Sequence, residues 1–205
     1  MPAENIPTLR DRKRERTRQA IVDAATDLFE HRGYDETTVA DIAAAAEIGT
    51  RTFFSYFASK EEVLFPASDE RVRAAVDAIA ARKPEDRPAD VLLRALHDVG
   101  EADDDMVSRV AMLRTRLIQT VPAVRGRGLQ IQLDAQRDIA RQLHAAFAGE
   151  LDEIGAAALV GAFIGAVTGA VYTLLGDPEA LEASPAKRRE LIQRATNVAL
   201  SPWLR

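Results

Sequence analysis

Residues 38–64 read TVADIAAAAEIGTRTFFSYFASKEEVL, and the fold turns on this stretch. Thr38 and Asp41, three residues apart, resemble a capping pair. Val39, Ile42, Ala43 and Ala46 then fall on one face of a short helix. Glu47-Ile48-Gly49 breaks it, and a second short helix is predicted from about Thr50 to Phe57. Two short helices across a tight turn make a helix-turn-helix. Such a unit needs small residues where its helices cross, and Ala43 to Ala46 supply them. It needs an apolar plug in the turn, and Ile48 fits. Phe53 and Phe57 suit the buried side of the second helix, while Thr50, Arg51, Thr52, Ser55 and Tyr56 are left to face out.

Upstream, residues 1–15 read as a flexible basic arm. Residues 10–18 carry six positive charges against two negative, although the chain as a whole carries −5. Phosphate binding depends on a local patch rather than on whole-chain charge. From Thr17 a helix is predicted, with Ile21, Ala24, Ala25, Leu28 and Phe29 on one face and Gly33 as its stop. Downstream, Ser59 and Glu62 form a capping box that starts a long helix to about Arg82. Further helices are predicted at 88–100, 104–120, 123–148 and 151–175. A last one begins at Ser184-Pro185 with Leu191, Ile192, Ala195, Val198 and Ala199 in register. The Ala-rich, aromatic-poor composition and the absence of strand signals make the chain all-α, with about nine helices.

The decisive segment resembles the DNA-binding domain of the TetR/AcrR family of transcriptional regulators. The likeness runs from Ala24-Ala25, Leu28-Phe29, Gly33-Tyr34 and Thr37-Thr38-Val39 through Ala46-Glu47-Ile48-Gly49-Thr50-Arg51-Thr52-Phe53-Phe54-Ser55-Tyr56-Phe57-Ala58-Ser59-Lys60-Glu61-Glu62-Val63, covering about residues 16–65. Three positions depart from the family pattern. Gly49 stands where Ser or Thr usually caps the recognition helix, Glu47 replaces a turn glycine, and Phe54 replaces a common Tyr. The resemblance implies a three-helix helix-turn-helix at 16–62 and a helical ligand-binding and dimerisation domain at 63–205. It implies a regulator, most often a repressor, that binds a palindromic operator as a homodimer and is released by a small-molecule effector. Arg51 is the expected reader of base edges, since guanidinium pairs bidentately with guanine O6 and N7. Thr50, Thr52 and Ser55 are expected at bases or phosphates, and Tyr56 and Lys60 at phosphates. Thr38 would hold a phosphate with its hydroxyl and backbone N–H. Arg14, Arg16 and Arg18 would neutralise backbone charge or enter the minor groove.

Residues 154–176 form a 23-residue stretch without charge, in which Gly161, Gly165 and Gly169 recur every four residues. It reads as a helix buried on most faces rather than a membrane span. By the resemblance this helix and the one after it build the dimer interface, with Leu191, Ala195 and Val198 contributing. The effector pocket is expected among the middle helices, at Met106, Val110, Leu113, Arg114, Leu117, Phe147 and Phe163. Relatives with a similar recognition helix suggest an apolar or acyl-CoA-like effector. Without cysteine, thiol catalysis and Cys-zinc sites are excluded. His31, His97 and His144 are scattered, and there is no phosphate loop, nucleophile elbow or metal spacing. No cofactor and no catalytic role are expected, and the absence of a signal peptide points to the cytoplasm and the nucleoid. An enzyme, or a helical adaptor that has lost DNA binding, remains an alternative at this level.

Overall fold

Thr8 starts the first helix, nine residues ahead of the predicted Thr17. In the computed structural model, which describes residues 8–102 and 108–204, its hydroxyl accepts the Asp11 N–H at 3.2 Å. Its own N–H goes to the Asp11 carboxylate at 3.0 Å. This closed capping box is followed by Arg, Lys and Glu, which are good helix formers. Residues 9–15, expected as a flexible arm, are therefore the opening turns of α1 (Leu9–His31). The first seven residues of that arm, and Met106, lie outside the described residues.

The chain divides into two compact units, Met1–Pro66 and Ala67–Arg205. In the first, Gly33 ends α1 with φ +91°, as its position after Arg32 predicts. There follow α2 (Val39–Ala45), α3 (Thr50–Phe53) and a 3₁₀ turn at Glu62–Leu64. The α3 helix is one turn long rather than reaching Phe57. Beyond Phe53 the chain continues in tight turns, with the Tyr56 and Phe57 N–H groups both bonding the Phe53 carbonyl at 2.9 and 3.0 Å. Ile21, Ala25, Phe29, Ile42, Phe53, Phe57 and Leu64 form the buried centre of this unit.

The second unit holds α4 (Ser68–Ala80), α5 (Pro88–Ala102), α6 (Arg109–Thr120), α7 (Pro122–Ala146), α8 (Glu153–Gly176), α9 (Pro178–Glu182) and α10 (Pro185–Leu200). Among the described residues there are ten α-helices and no strand. The tenth is α9, a five-residue helix. It forms because Asp177 caps Pro178 by accepting the Glu179 N–H at 3.0 Å.

The single helix predicted over 59–82 does not form. Pro66 has no N–H to give the carbonyl four residues back, and its ring clashes there. Helix resumes only at Ser68. Glu62 reaches back and accepts the N–H of Ala58. The core of the second unit runs through Leu92, Leu143, Leu159, Val160 and Ile192. Here α8 packs on α7 and α10, and α4 on α5 and α7.

By length and composition α8 could cross a membrane. It was expected to be buried on most faces. Instead it buries one side, at Ala156, Leu159, Val160, Phe163 and Leu174, because its main neighbours α7 and α10 leave the remainder open.

Candidate nucleic-acid interface and internal cavity

The recognition segment is anchored from beneath. Phe53 is 0 % and Phe57 2 % exposed, and their rings lie 6.0 Å apart. Between and before these anchors, Thr50, Arg51, Thr52, Phe54 and Ser55 are all exposed. Phe54, 56 % exposed, stands edge-on to Phe53 at 5.5 Å. Ser55 turns its hydroxyl onto the Thr52 carbonyl at 2.6 Å, so its donor is occupied locally. Gly49 caps α3 from extended backbone with no side-chain bond, as its lack of a hydroxyl requires. Glu47 sits at φ +56°, in the left-handed region that its family counterpart, glycine, enters freely.

The arm arginines are helical, and the structure separates them. Arg14 lies over the Tyr56 ring at 5.5 Å, which brings α1 beside the end of the recognition segment. Arg16 is exposed. Arg18 was expected at the DNA backbone or minor groove, but it turns into its own unit. Its guanidinium donates to the Pro66 carbonyl and lies 4.7 Å from the Phe57 ring centre. A planar cation satisfies both an aromatic face and a carbonyl, and that holds it here.

Two further residues expected at phosphates have partners within the chain. Lys60, read as a phosphate contact, donates to the carbonyls of Tyr34 and Thr37 at 2.9 and 3.0 Å and lies 4.1 Å over the Tyr34 ring. The Tyr34 hydroxyl in turn donates to Glu61. Burial opposes ionisation of Glu61, but bonds from Ser59 and Tyr34 outweigh it and hold the carboxyl below its usual range. Burial and the same Glu61 bond push the Tyr34 phenol up. Lys60 is thus a clasp on the loop that presents α2. Thr38, expected to give its hydroxyl and N–H to a phosphate, gives both to Asp41, at 2.6 and 2.9 Å. Those bonds keep the Asp41 carboxyl low, with Arg32 at 3.6 Å adding to the effect. The capping signal was legible in the sequence. That the cap consumes the phosphate donors was its unread half.

In the second unit a cavity of about 190 Å³ opens among α4, α5, α7 and α8. Its walls are mainly apolar, with Ser68, Arg71, Gln132 and Thr168 as the polar members. Of the expected pocket residues, Phe163 lines it. Val110, Leu113 and Leu117 are buried on the inner side of α6, away from the cavity lining, and Arg114 is half-buried there. Phe147 is buried under the Arg82 guanidinium, 4.8 Å from the ring centre. The cavity lies nearer α4 than the sequence suggested, because helical periodicity marks apolar faces without saying which of them meet imperfectly. Arg125 of α7 caps α6. It donates to the Ile118 and Gln119 carbonyls at 2.9 and 2.7 Å.

The residues expected at a dimer interface fall on different sides. A side chain at Gly161 would meet Gln136 of α7 at 3.0 Å, so this glycine serves packing within the chain. Gly165 and Gly169 face open space. Leu191 packs against the unit's own core, Ala195 is half-buried, and Val198 is 69 % exposed.

Comparison with known proteins agrees with this arrangement. The family described as "Bacterial regulatory proteins, tetR family" matches residues 21–66. The HTH-type transcriptional regulator TcmR of Streptomyces glaucescens is 33 % identical over 154 residues, covering 73 % of this chain and 68 % of that protein. Among solved structures, a TetR-family regulator from Syntrophomonas wolfei superposes with a TM-score of 0.63 at 18 % identity, covering 91 % of this chain and 96 % of that one. The TetR-family repressor FadR of Thermus thermophilus, solved with lauroyl-CoA, gives 0.52 at 21 % identity, covering 87 % and 92 %. At these identities the structural likeness speaks for the fold.

Proposed function

Because the chain belongs to the tetR family of bacterial regulatory proteins, which are DNA-binding transcriptional regulators and not enzymes, we propose that it is a ligand-responsive repressor that binds a palindromic operator as a homodimer in the cytoplasm. One observation carries this reading: a recognition segment whose Phe53 and Phe57 are buried while Thr50, Arg51, Thr52 and Phe54 stand free beside a basic α1. Arg51 has no hydrogen bond or ion pair among the described residues, which leaves its fork for guanine. Phe54 would meet a thymine methyl, Thr50 and Thr52 bases or phosphates, and Arg14, Arg16 and Tyr56 the backbone.

A homodimer is supported by the uncharged face of α8 around Gly165 and Gly169 and by exposed Val198 on α10. Two-fold symmetry would present two recognition helices to successive major grooves about 34 Å apart. A small-molecule effector is supported by the apolar cavity of the second unit. A ligand that prefers the form with mis-spaced recognition helices draws the population away from DNA.

The deciding experiment titrates the purified protein against the DNA upstream of its own gene at several salt concentrations. A specific complex is expected that Arg51→Ala reduces to the affinity for random DNA. If no fragment of that DNA binds better than random sequence, the repressor reading is wrong.

A further inference from the structure

We propose that the cavity of the second unit binds a compact monocarboxylic acid, built on one ring or a medium alkyl chain, and rejects acyl-CoA. The inference rests on the ligand-responsive reading above and names the ligand class.

Size is the first argument. A cavity of about 150 Å³ accommodates benzene. The 190 Å³ here therefore admits a ring with a short side chain. The cavity is partly open, so the nucleotide of an acyl thioester would have to lie beyond it.

Charge is the second argument. Val72, Ala75, Leu96, Ile139, Phe163 and Val167 supply apolar walls from four helices. Among the described residues that line the cavity the only formal charge is that of Arg71, one turn from Ser68 at the start of α4, and none of them is a carboxylate. A guanidinium has five N–H donors, more than one bond within the chain uses, and its fork matches a carboxylate. Gln132 and Thr168 add neutral donors.

The third argument is the neighbouring chamber. It shares Ser68, Val72 and Ala135 with the cavity wall and is otherwise lined by Asp69, Arg73, Arg127, Ile131, Asp134 and Asp138. Three carboxylates stand there against two guanidiniums. Asp134 and Asp138 also approach the exposed Arg137 and Arg141 at 4.0 and 3.4 Å, but pairs of this kind are weak. A polyphosphate lodged in that chamber would face three like charges, whereas a single carboxylate held at Arg71 would not.

The test is calorimetric titration of the full chain with 3-phenylpropanoate, octanoate, the matching alcohols 3-phenylpropanol and octanol, and lauroyl-CoA. Each acid is expected to bind at least tenfold tighter than its alcohol, and lauroyl-CoA more weakly than octanoate. Arg71→Gln should bring the acids down to the level of the alcohols while alcohol binding stays unchanged, which also shows that the cavity is intact. Should that variant fail to fold, Arg71→Lys keeps the charge without the fork and should bind the acids between the wild-type and alcohol levels. Acids no better than alcohols, or lauroyl-CoA tighter than octanoate, overturns the proposal. The same ligands added to the operator complex separate the two readings. Acids that bind but leave the DNA complex untouched refute ligand-responsiveness and leave the ligand class standing. Release by other compounds while the acids do not bind refutes the ligand class alone.

Discussion

Glu47 shows what a single residue costs. Its φ of +56° brings Cβ close to the following carbonyl oxygen, a strain of roughly 1–2 kcal/mol that glycine escapes, less glycine's own loss of chain entropy. Glu47→Gly should therefore raise the stability of the first unit by about 1 kcal/mol, read as a higher thermal midpoint. It should also tighten operator binding by removing a negative charge beside the recognition helix. Lys60 makes the opposite point. Its ammonium is engaged by two carbonyls and a ring, so Lys60→Met should destabilise the unit by about 1–2 kcal/mol, as the loss of charged hydrogen bonds does. The slope of log affinity against log salt should stay as it is in the wild type. Losing a true phosphate contact lowers that slope by about 1, and Arg14→Ala is expected to do so. A matching drop in Lys60→Met would return Lys60 to the phosphates.

At the level of elements, the sequence was most readable where a local rule acts alone. The Gly33 stop, the Thr38–Asp41 cap and the phenylalanine spacing of the recognition segment all follow from short-range stereochemistry, and all are present. Two rules in competition were harder to read. The basic run after Thr8 looked like an arm because it has no apolar face, yet its cap and its propensity suffice for helix. The 59–82 run looked continuous because the Ser59–Glu62 capping signal announces a helix, yet Pro66 cuts it. The cavity was least legible, since it depends on how α4 meets α5, α7 and α8 rather than on any one helix.

The loop between α4 and α5 carries a measurable consequence. The Arg94 guanidinium at 2.6 Å and the Lys83 N–H hold the Asp86 carboxyl down at about 2. A depressed carboxyl stabilises the fold fully above its unfolded value near 3.8 and loses that contribution as the pH falls towards 2. Acid titration of stability should show such a loss in that window. Asp86→Asn should be less stable than wild type at pH 6 and show a flatter decline between pH 4 and 2, followed by circular dichroism.

For the whole molecule, the exposed apolar stripe of α8 and α10 should set the oligomeric state. Val198→Asp places a charge on that stripe at a position 69 % exposed in the single chain, so it should spare the fold and weaken association. Sedimentation equilibrium should show a dimer for the wild type and a monomer for the variant, with operator affinity falling at least tenfold. A monomeric wild type, or a variant that stays dimeric at micromolar concentration, would move the interface elsewhere.

The one-turn recognition helix has a further consequence, for how such a regulator changes its target. Stability and specificity are written in alternate letters. Phe53 and Phe57 hold the segment, while Thr50, Arg51, Thr52 and Phe54 contribute little to the core. Substitutions at the second set leave folding nearly neutral, as exposed positions generally do, so a lineage can drift among operators without passing through unfolded intermediates. A library randomised at those four positions should yield mostly soluble, folded proteins with widely scattered DNA preferences, whereas the same exercise at Phe53 and Phe57 should yield few folded proteins.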